Sequence, residues 1–244
     1  MPWREEEPCS VVGECERETH EQVWRLQSFG EPQTDRIRIL VGDVLHNLRQ
    51  SLDHLAHSIS GIVRGEDPGE RSAFPITDDP KAFPGLLGGN IGSPNAMPPG
   101  LAAAFENVQP YKGGYYPLLF ALKKLHDRDK HREPTVVAGG AAAMETLIEN
   151  VALRGGIQLG DAGFVENGEA MLKFHGEVLN ENPNVDLTVT PDVIFGRDSP
   201  VVPRQPVLDI LETLRALIAQ RVFPSLEPFL GAQQGSASTE KGYV

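Results

Sequence analysis

The sequence predicts an α+β fold: a helical bundle-like part carrying a polar His/Asp/Arg site, a mostly antiparallel sheet, and a C-terminal helix. Three observations predict it. Apolar residues recur at helical spacing over 34–63 and 115–130. The pattern changes to period two after Pro134, and helical spacing returns over 207–226.

The elements follow in order. Residues 9–29 contain the alternating stretches CSVVGECE and HEQVWRLQSF, which read as a β-hairpin. Glu31-Pro32 breaks the chain, and a long helix runs from about Thr34 to Val63, ended by Gly65. Residues 66–100 are rich in Pro and Gly and read as an irregular segment that wraps the surface or covers the site. Residues 98–108 read as a short helix with Pro98 and Pro99 near its first turn. Gln109-Pro110-Tyr111 then turns the chain into a second long helix, about 115–130. Residues 135–138, 145–153, 170–179 and 185–189 read as strands. Gly155-Gly156, Asn167-Gly168 and residues 180–184 read as the turns between them. In the last helix Leu208, Leu211, Leu214, Leu217 and Ile218 share one side. The expected organisation is one α+β domain over 1–231. Its helical part spans about 34–133, its strands about 9–29 and 135–195, and its C-terminal helix about 206–226. The tail over 232–244 has a disordered composition.

The first long helix carries the strongest functional signal. At about 100° per residue, Val41, Val44, Leu45, Leu48, Leu52 and Leu55 fall on one side. Asp43, His46, Asn47, Gln50, Asp53, His54 and His57 fall opposite, and Arg49 lies at the edge. Solvated helix faces are rich in Glu and Lys, which are strong helix formers. This face has neither. Its imidazoles, carboxylates and amides suit directed hydrogen bonds, proton transfer or metal ligation.

The second helix forms a stripe of Leu118, Leu122 and Leu125, which continues by four and seven residues to Asp129 and Arg132. A carboxylate on a core-facing stripe requires a partner, because burying a bare charge is costly. Arg49, His46 and His54 are the simplest partners for Asp129. His126 and His131 add two imidazoles, so five of the chain's seven histidines lie in these two segments.

Composition bounds the function. A hydrophobic content of 40% and a charged content of 23% are ordinary for a globular protein. No apolar run approaches the roughly 18 residues that span a bilayer, and the acidic start lacks an apolar signal core, so a cytoplasmic protein is expected with no membrane partner. Cys9 and Cys15 lack zinc-like spacing and read as free thiols. The net charge of −12 argues against broad nucleic-acid binding. A local basic site remains open in Lys123, Lys124, Arg128, Lys130 and Arg132, although the default for Lys123 and Lys124 alone is a solvated face. No cofactor is expected. Serine-nucleophile and dinucleotide fingerprints are absent, and GLLGGNIG at 85–92 lacks the lysine and setting of a P-loop.

These residues resemble a widespread group of uncharacterised bacterial proteins, common in actinobacteria. Its marks are a first motif G-D-x-L-H-N-L-R-x-x-L-D-H and a second ending D-K-H-R. They stand here as Gly42-Asp43-Val44-Leu45-His46-Asn47-Leu48-Arg49-Gln50-Ser51-Leu52-Asp53-His54 and Asp129-Lys130-His131-Arg132. Phe74-Pro75-Ile76 and Gln109-Pro110-Tyr111 also match, and the resemblance covers about 38–133. The group implies no established activity. Its members usually begin with a further long helix before the hairpin, whereas this chain starts almost at the hairpin.

The chain is also similar to the HEPN superfamily of helical-bundle proteins, many of them ribonucleases of toxin and defence systems. Their signature, R-x(4–6)-H, is matched by Arg49 and His54. The resemblance implies metal-independent cleavage of RNA, and a homodimer, because members often place two such sites together. Metal-free cleavage needs a group for the 2′-hydroxyl proton and a cation for the phosphorane charge, which His and Arg one turn apart can supply. The expected catalytic residues are Arg49, His54, His46 and Asp53. Asn47, Lys130, His131 and Arg132 are expected to bind RNA, and Asp43 and Asp129 to form a structural network.

Three other readings use the same residues: a buried polar network that only orients helices in a binding or scaffold protein, a metal site, and a small-molecule or protein binder. The metal reading draws on Asp43/His46 at i, i+3 and His46/Gln50 at i, i+4. Without a closed ligand motif, and with Lys and Arg nearby, no tightly held metal is expected.

Overall fold

The chain's fold follows from where period-two and helical patterning can each bury apolar surface. The computed structural model describes residues 9–15, 21–28, 34–69, 72–129, 136–149, 153–159, 164–166, 168–178 and 184–231. It is α+β, with antiparallel sheets and a C-terminal helix. Its contacts divide into two compact units, 1–41 with 134–210 and 42–133 with 211–244.

The first unit holds the strands. β1 (Cys9–Cys15) and β2 (Gln22–Ser28) pair antiparallel, Val12 opposite Arg25, as the alternation predicts. Beyond them lie β3 (Val136–Glu149), β4 (Leu153–Leu159), β5 (Phe164–Glu166), β6 (Ala170–Val178) and β7 (Asn184–Phe195). They form a four-stranded sheet of order β1-β2-β6-β4 and a three-stranded sheet of order β5-β3-β7. Val23, Leu26, Leu172, Phe174, Ile194 and Phe195 are buried, and Trp24 meets Phe174 edge-on at 4.8 Å between ring centroids.

Two sequence expectations are corrected in this unit. Gly155 and Gly156 do not turn the chain; they sit inside β4, opposite Gly176 and His175. Residues 139–144, left between the expected strands at 135–138 and 145–153, lie inside β3, whose ladder with β7 shifts register between Ala143 and Thr146. The short β5 gave no pattern of its own. In β3 and β4 the pairing strand supplies the hydrogen bonds, and sheet context overrides the weak propensity of Gly and Ala.

The second unit is helical. α1 (Thr34–Arg64) crosses from the first unit into it and stops at Gly65, whose φ of 71° is the left-handed value a helix end favours. α2 (Phe83–Asn90), α3 (Leu101–Asn107) and α4 (Pro117–Asp129) follow. α2 is a correction, since its FPGLLGGN sequence lies in the stretch expected to be irregular. Phe83, Leu87 and Ile91 are buried at helical spacing, and Pro84 occupies the first turn, where its missing N–H costs nothing. That burial outweighs the poor propensity of the glycines.

α5 (Val207–Leu217) continues through a π turn, Ile218–Val222, into α6 (Phe223–Leu226). Pro224 cannot donate to the carbonyl four residues back, and the Phe223 N–H reaches to Ile218 instead, widening the helix there. Leu211, Leu214, Leu217 and Ile218 are buried as expected, but Leu208 is exposed. The core of this unit joins them to Leu45, Leu52, Ile59, Phe74, Ile76, Phe105, Leu119 and Leu122.

Among the described residues no helix is long and apolar enough to cross a membrane. Cys15 is a free, exposed thiol. The side chain of Cys9 and the tail over 232–244 lie outside the described residues.

Candidate functional site

The buried arc of α1 is not centred where hydrophobicity alone puts it. It runs Val41, Leu45, Arg49, Leu52, Ala56, Ile59, a stripe at i, i+4, i+8, i+11, i+15 and i+18. Val44 is exposed and Leu48 only half-buried. Arg49 therefore occupies a core position rather than an edge, with 9% of its surface exposed.

The reason lies in the extended chain at 74–77. This segment is buried but forms no strand, so its backbone polar groups need other partners. Side chains supply them. The Phe74 N–H donates to Asp53 Oδ1 at 2.8 Å, and Arg49 Nη2 donates to the Phe74 carbonyl at 3.0 Å. Arg49 Nε also donates to Asp53 Oδ2 at 3.2 Å, closing a ring of charge-assisted bonds.

Gln109, fully buried, does the rest. Its Nε2 donates to the carbonyls of Pro75 at 2.7 Å and Phe105 at 3.0 Å, and its Oε1 accepts from the Thr77 N–H at 3.1 Å. Lys123 Nζ donates to the Ile76 carbonyl at 3.2 Å, so Lys123 is turned inward rather than into solvent, correcting the expectation for that residue. Lys124 stays exposed, 5.1 Å from the Phe120 ring. The four short motifs quoted from the sequence thus meet physically through this segment, except for the D-K-H-R residues.

Above the clamp lies a hollow of about 600 Å³. It is lined by His46, Arg49, Gln50, Asp53, His54, His57 and His126, with Gly69 and Ser72. His46, Gln50, His54 and His57 are exposed, so the hollow opens to solvent. His126 is 6% exposed and forms its inner wall. His46 Nδ1 and His126 Nε2 are 3.3 Å apart, with the rings stacked at 27°. One nitrogen of that contact must carry the proton and the other present its lone pair. His57 Nδ1 contacts the Ser72 hydroxyl at 2.8 Å, and its Nε2 lies 3.6 Å from Asp67 Oδ1, an ion pair when the ring is protonated.

The expected residues divide accordingly. Arg49, Asp53, His46 and His54 share the hollow. Asp43 and Asn47 are exposed and do not line it. Lys130, His131 and Arg132 lie outside the described residues, as does the side chain of Asp129. The buried stripe of α4 is Leu119, Leu122, Leu125 and His126, while Leu118 is half-buried. Leu122 and Leu125 are buried as expected, and Leu119 rather than Leu118 completes the stripe. His126, placed only in the neighbourhood by the sequence, is a wall of the site. Its signal was available: it stands four residues after Leu122 and seven after Leu119. Gln109 and the Phe74 backbone were not legible as site elements.

The guanidinium of Arg49 has one nitrogen, Nη1, that is buried without a hydrogen-bond partner. Among the described residues no three His, Cys, Asp or Glu side chains are grouped so as to hold a metal ion. The chemistry within reach is proton transfer by imidazoles and recognition of an anion by Arg49. No protein-family model, curated protein or solved structure matches the chain.

Proposed function

We propose that the hollow is the site of a HEPN-like, metal-independent ribonuclease, a cytoplasmic protein that acts as a homodimer in a toxin or defence role. The observation that carries this reading is the open hollow itself, in which four imidazoles and one guanidinium share a lining. His54 takes the proton of an RNA 2′-hydroxyl, and the 2′-oxygen attacks the adjacent phosphorus. The bond to the 5′-oxygen breaks, a second imidazole of the lining returns a proton to that oxygen, and a cyclic phosphate remains. Arg49, which lines the hollow, supplies the cation that steadies the phosphorane charge.

A second reading has its own observation. Arg49 and Asp53 are already engaged with the Phe74 peptide, the work of a structural network in a scaffold protein. One experiment separates the two. Full-length wild type and His54→Ala are incubated with structured and single-stranded RNA in EDTA. The ribonuclease reading expects cleavage by wild type and a loss of about 10²–10⁴-fold in the variant, the usual worth of a general base. Equal cleavage by both proteins, or none by wild type, leaves the scaffold.

A further inference from the structure

A second group of reactive side chains meets at the rim of the hollow. His57 lies on α1, and Asp67 and Ser72 follow the end of that helix. The Ser72 hydroxyl is 2.8 Å from His57 Nδ1, and Asp67 Oδ1 lies 3.6 Å from His57 Nε2. The other contact of the hydroxyl, with the Gly69 carbonyl, is longer at 3.4 Å. A hydroxyl, an imidazole and a carboxylate thus stand in the order of a hydrolytic triad, which is recognised by geometry and roles rather than by sequence position. No nucleophile motif marks Ser72, because folding alone brings the three together.

The carboxylate sets the tautomer. It favours the proton on Nε2, which leaves the Nδ1 lone pair to accept the Ser72 hydroxyl. The Gly69 N–H donates to Asp67 Oδ1 at 2.9 Å and so holds the carboxylate in place. The gap from Asp67 to the ring is longer than a hydrogen bond, and catalytic contacts of this kind commonly tighten when substrate binds. Gln50 and His54 line the same hollow on successive turns of α1 before His57. Both are exposed and carry N–H donors for a developing oxyanion.

We propose that Ser72, His57 and Asp67 form a hydrolytic triad for small carboxylic esters. Ser72 Oγ adds to the ester carbonyl carbon as its proton passes to His57 Nδ1. The bond to the alcohol oxygen breaks, the alcohol leaves with that proton, and an acyl-serine remains. Water then adds to the acyl carbon and gives a proton to His57; the carboxylic acid leaves, and the proton returns to Ser72 Oγ. A hollow of about 600 Å³ suits a small molecule. Its opening to solvent weakens charge stabilisation, which favours an ester over an amide, because the alcohol is the easier leaving group. The activity goes beyond the ribonuclease reading and is independent of it, because its test uses no RNA.

The test is labelling of the full-length protein with an alkyl fluorophosphonate, the adduct being located by peptide mass. Ser72 Oγ displaces fluoride from phosphorus and its proton goes to His57. The expected result is one adduct per chain, on Ser72. His57→Ala, checked for folding by circular dichroism, labels about 10²–10⁴-fold more slowly, the usual worth of a general base, and Asp67→Asn labels several-fold more slowly. Hydrolysis of p-nitrophenyl acetate is compared with Ser72→Ala, which keeps every imidazole of the lining and should lose the serine-dependent rate. No adduct, an adduct elsewhere, or equal labelling in His57→Ala or Asp67→Asn overturns the triad. Equal ester hydrolysis by wild type and Ser72→Ala overturns the substrate class.

Discussion

Asp53 and Arg49, one turn apart on α1, hold the peptide group of Phe74 between them, the carboxylate accepting its N–H and the guanidinium donating to its carbonyl. The motif's most charged residues are therefore spent first on folding. Around them, His46 pairs with His126 and His57 with Ser72.

Replacing Arg49 by Met keeps the bulk and removes three donor nitrogens. It leaves the Phe74 carbonyl unpaired and Asp53 without its cation. The expected loss is about 2–3 kcal/mol, the cost of removing hydrogen bonds to a charged group. A third of the Asp53 side chain stays exposed (32%), so the loss remains below that of a fully buried pair. In a double-mutant cycle with Asp53→Ala, urea unfolding should show a coupling of about 1–3 kcal/mol. A coupling near zero would mean that the two side chains do not act as a unit.

Gln109→Leu conserves apolar volume but removes the side-chain partners of the Thr77 N–H and of the Pro75 and Phe105 carbonyls in the core. About 3–5 kcal/mol should be lost, from three buried groups deprived of a partner. The exposed Lys112–Glu106 pair is the control: Lys112→Ala should change the denaturation midpoint little, as surface pairs do. Comparable losses in the two variants would contradict the account of the segment at 74–77.

His54 is exposed and makes no side-chain hydrogen bond among the described residues. Thermal denaturation of His54→Ala should match wild type within about 0.5 kcal/mol. The same variant is the one expected to lose RNA cleavage. A large drop in stability would show that the residue is structural and would remove it as a clean probe of catalysis.

Two glycines near the end of α2 should respond oppositely to alanine. Gly88 lies within the helix, and a Cβ added there would have nothing within 4 Å, so Gly88→Ala should stabilise by about 0.5–1 kcal/mol. Gly92 has φ of 143°, and a Cβ there would meet Val63 Cγ1 at 2.8 Å. Gly92→Ala should destabilise, measured by the same unfolding curves. The same sign for both would show that α2 does not end as described.

The sequence by itself determined the fold class, the long helices, the hairpin and the residues of the polar face. Helical periodicity and β alternation are local properties, and apolar side chains at those spacings have one face to bury. His46, Arg49, Asp53 and His54 share a turn-by-turn repeat, so their gathering on one helix needed no tertiary information.

Only the tertiary structure decided what surrounds them. Which way α1 is rotated depends on the carbonyl and N–H of Phe74, backbone groups that no side-chain pattern encodes. Gln109 acts mainly through Pro75 and Thr77, both distant in sequence, so its type alone carried no signal. α2 and the glycines of β4 lie where propensity argues against them, and burial and strand pairing decided otherwise. His126 became a wall of the hollow because Leu119 and Leu122 fix the face of α4.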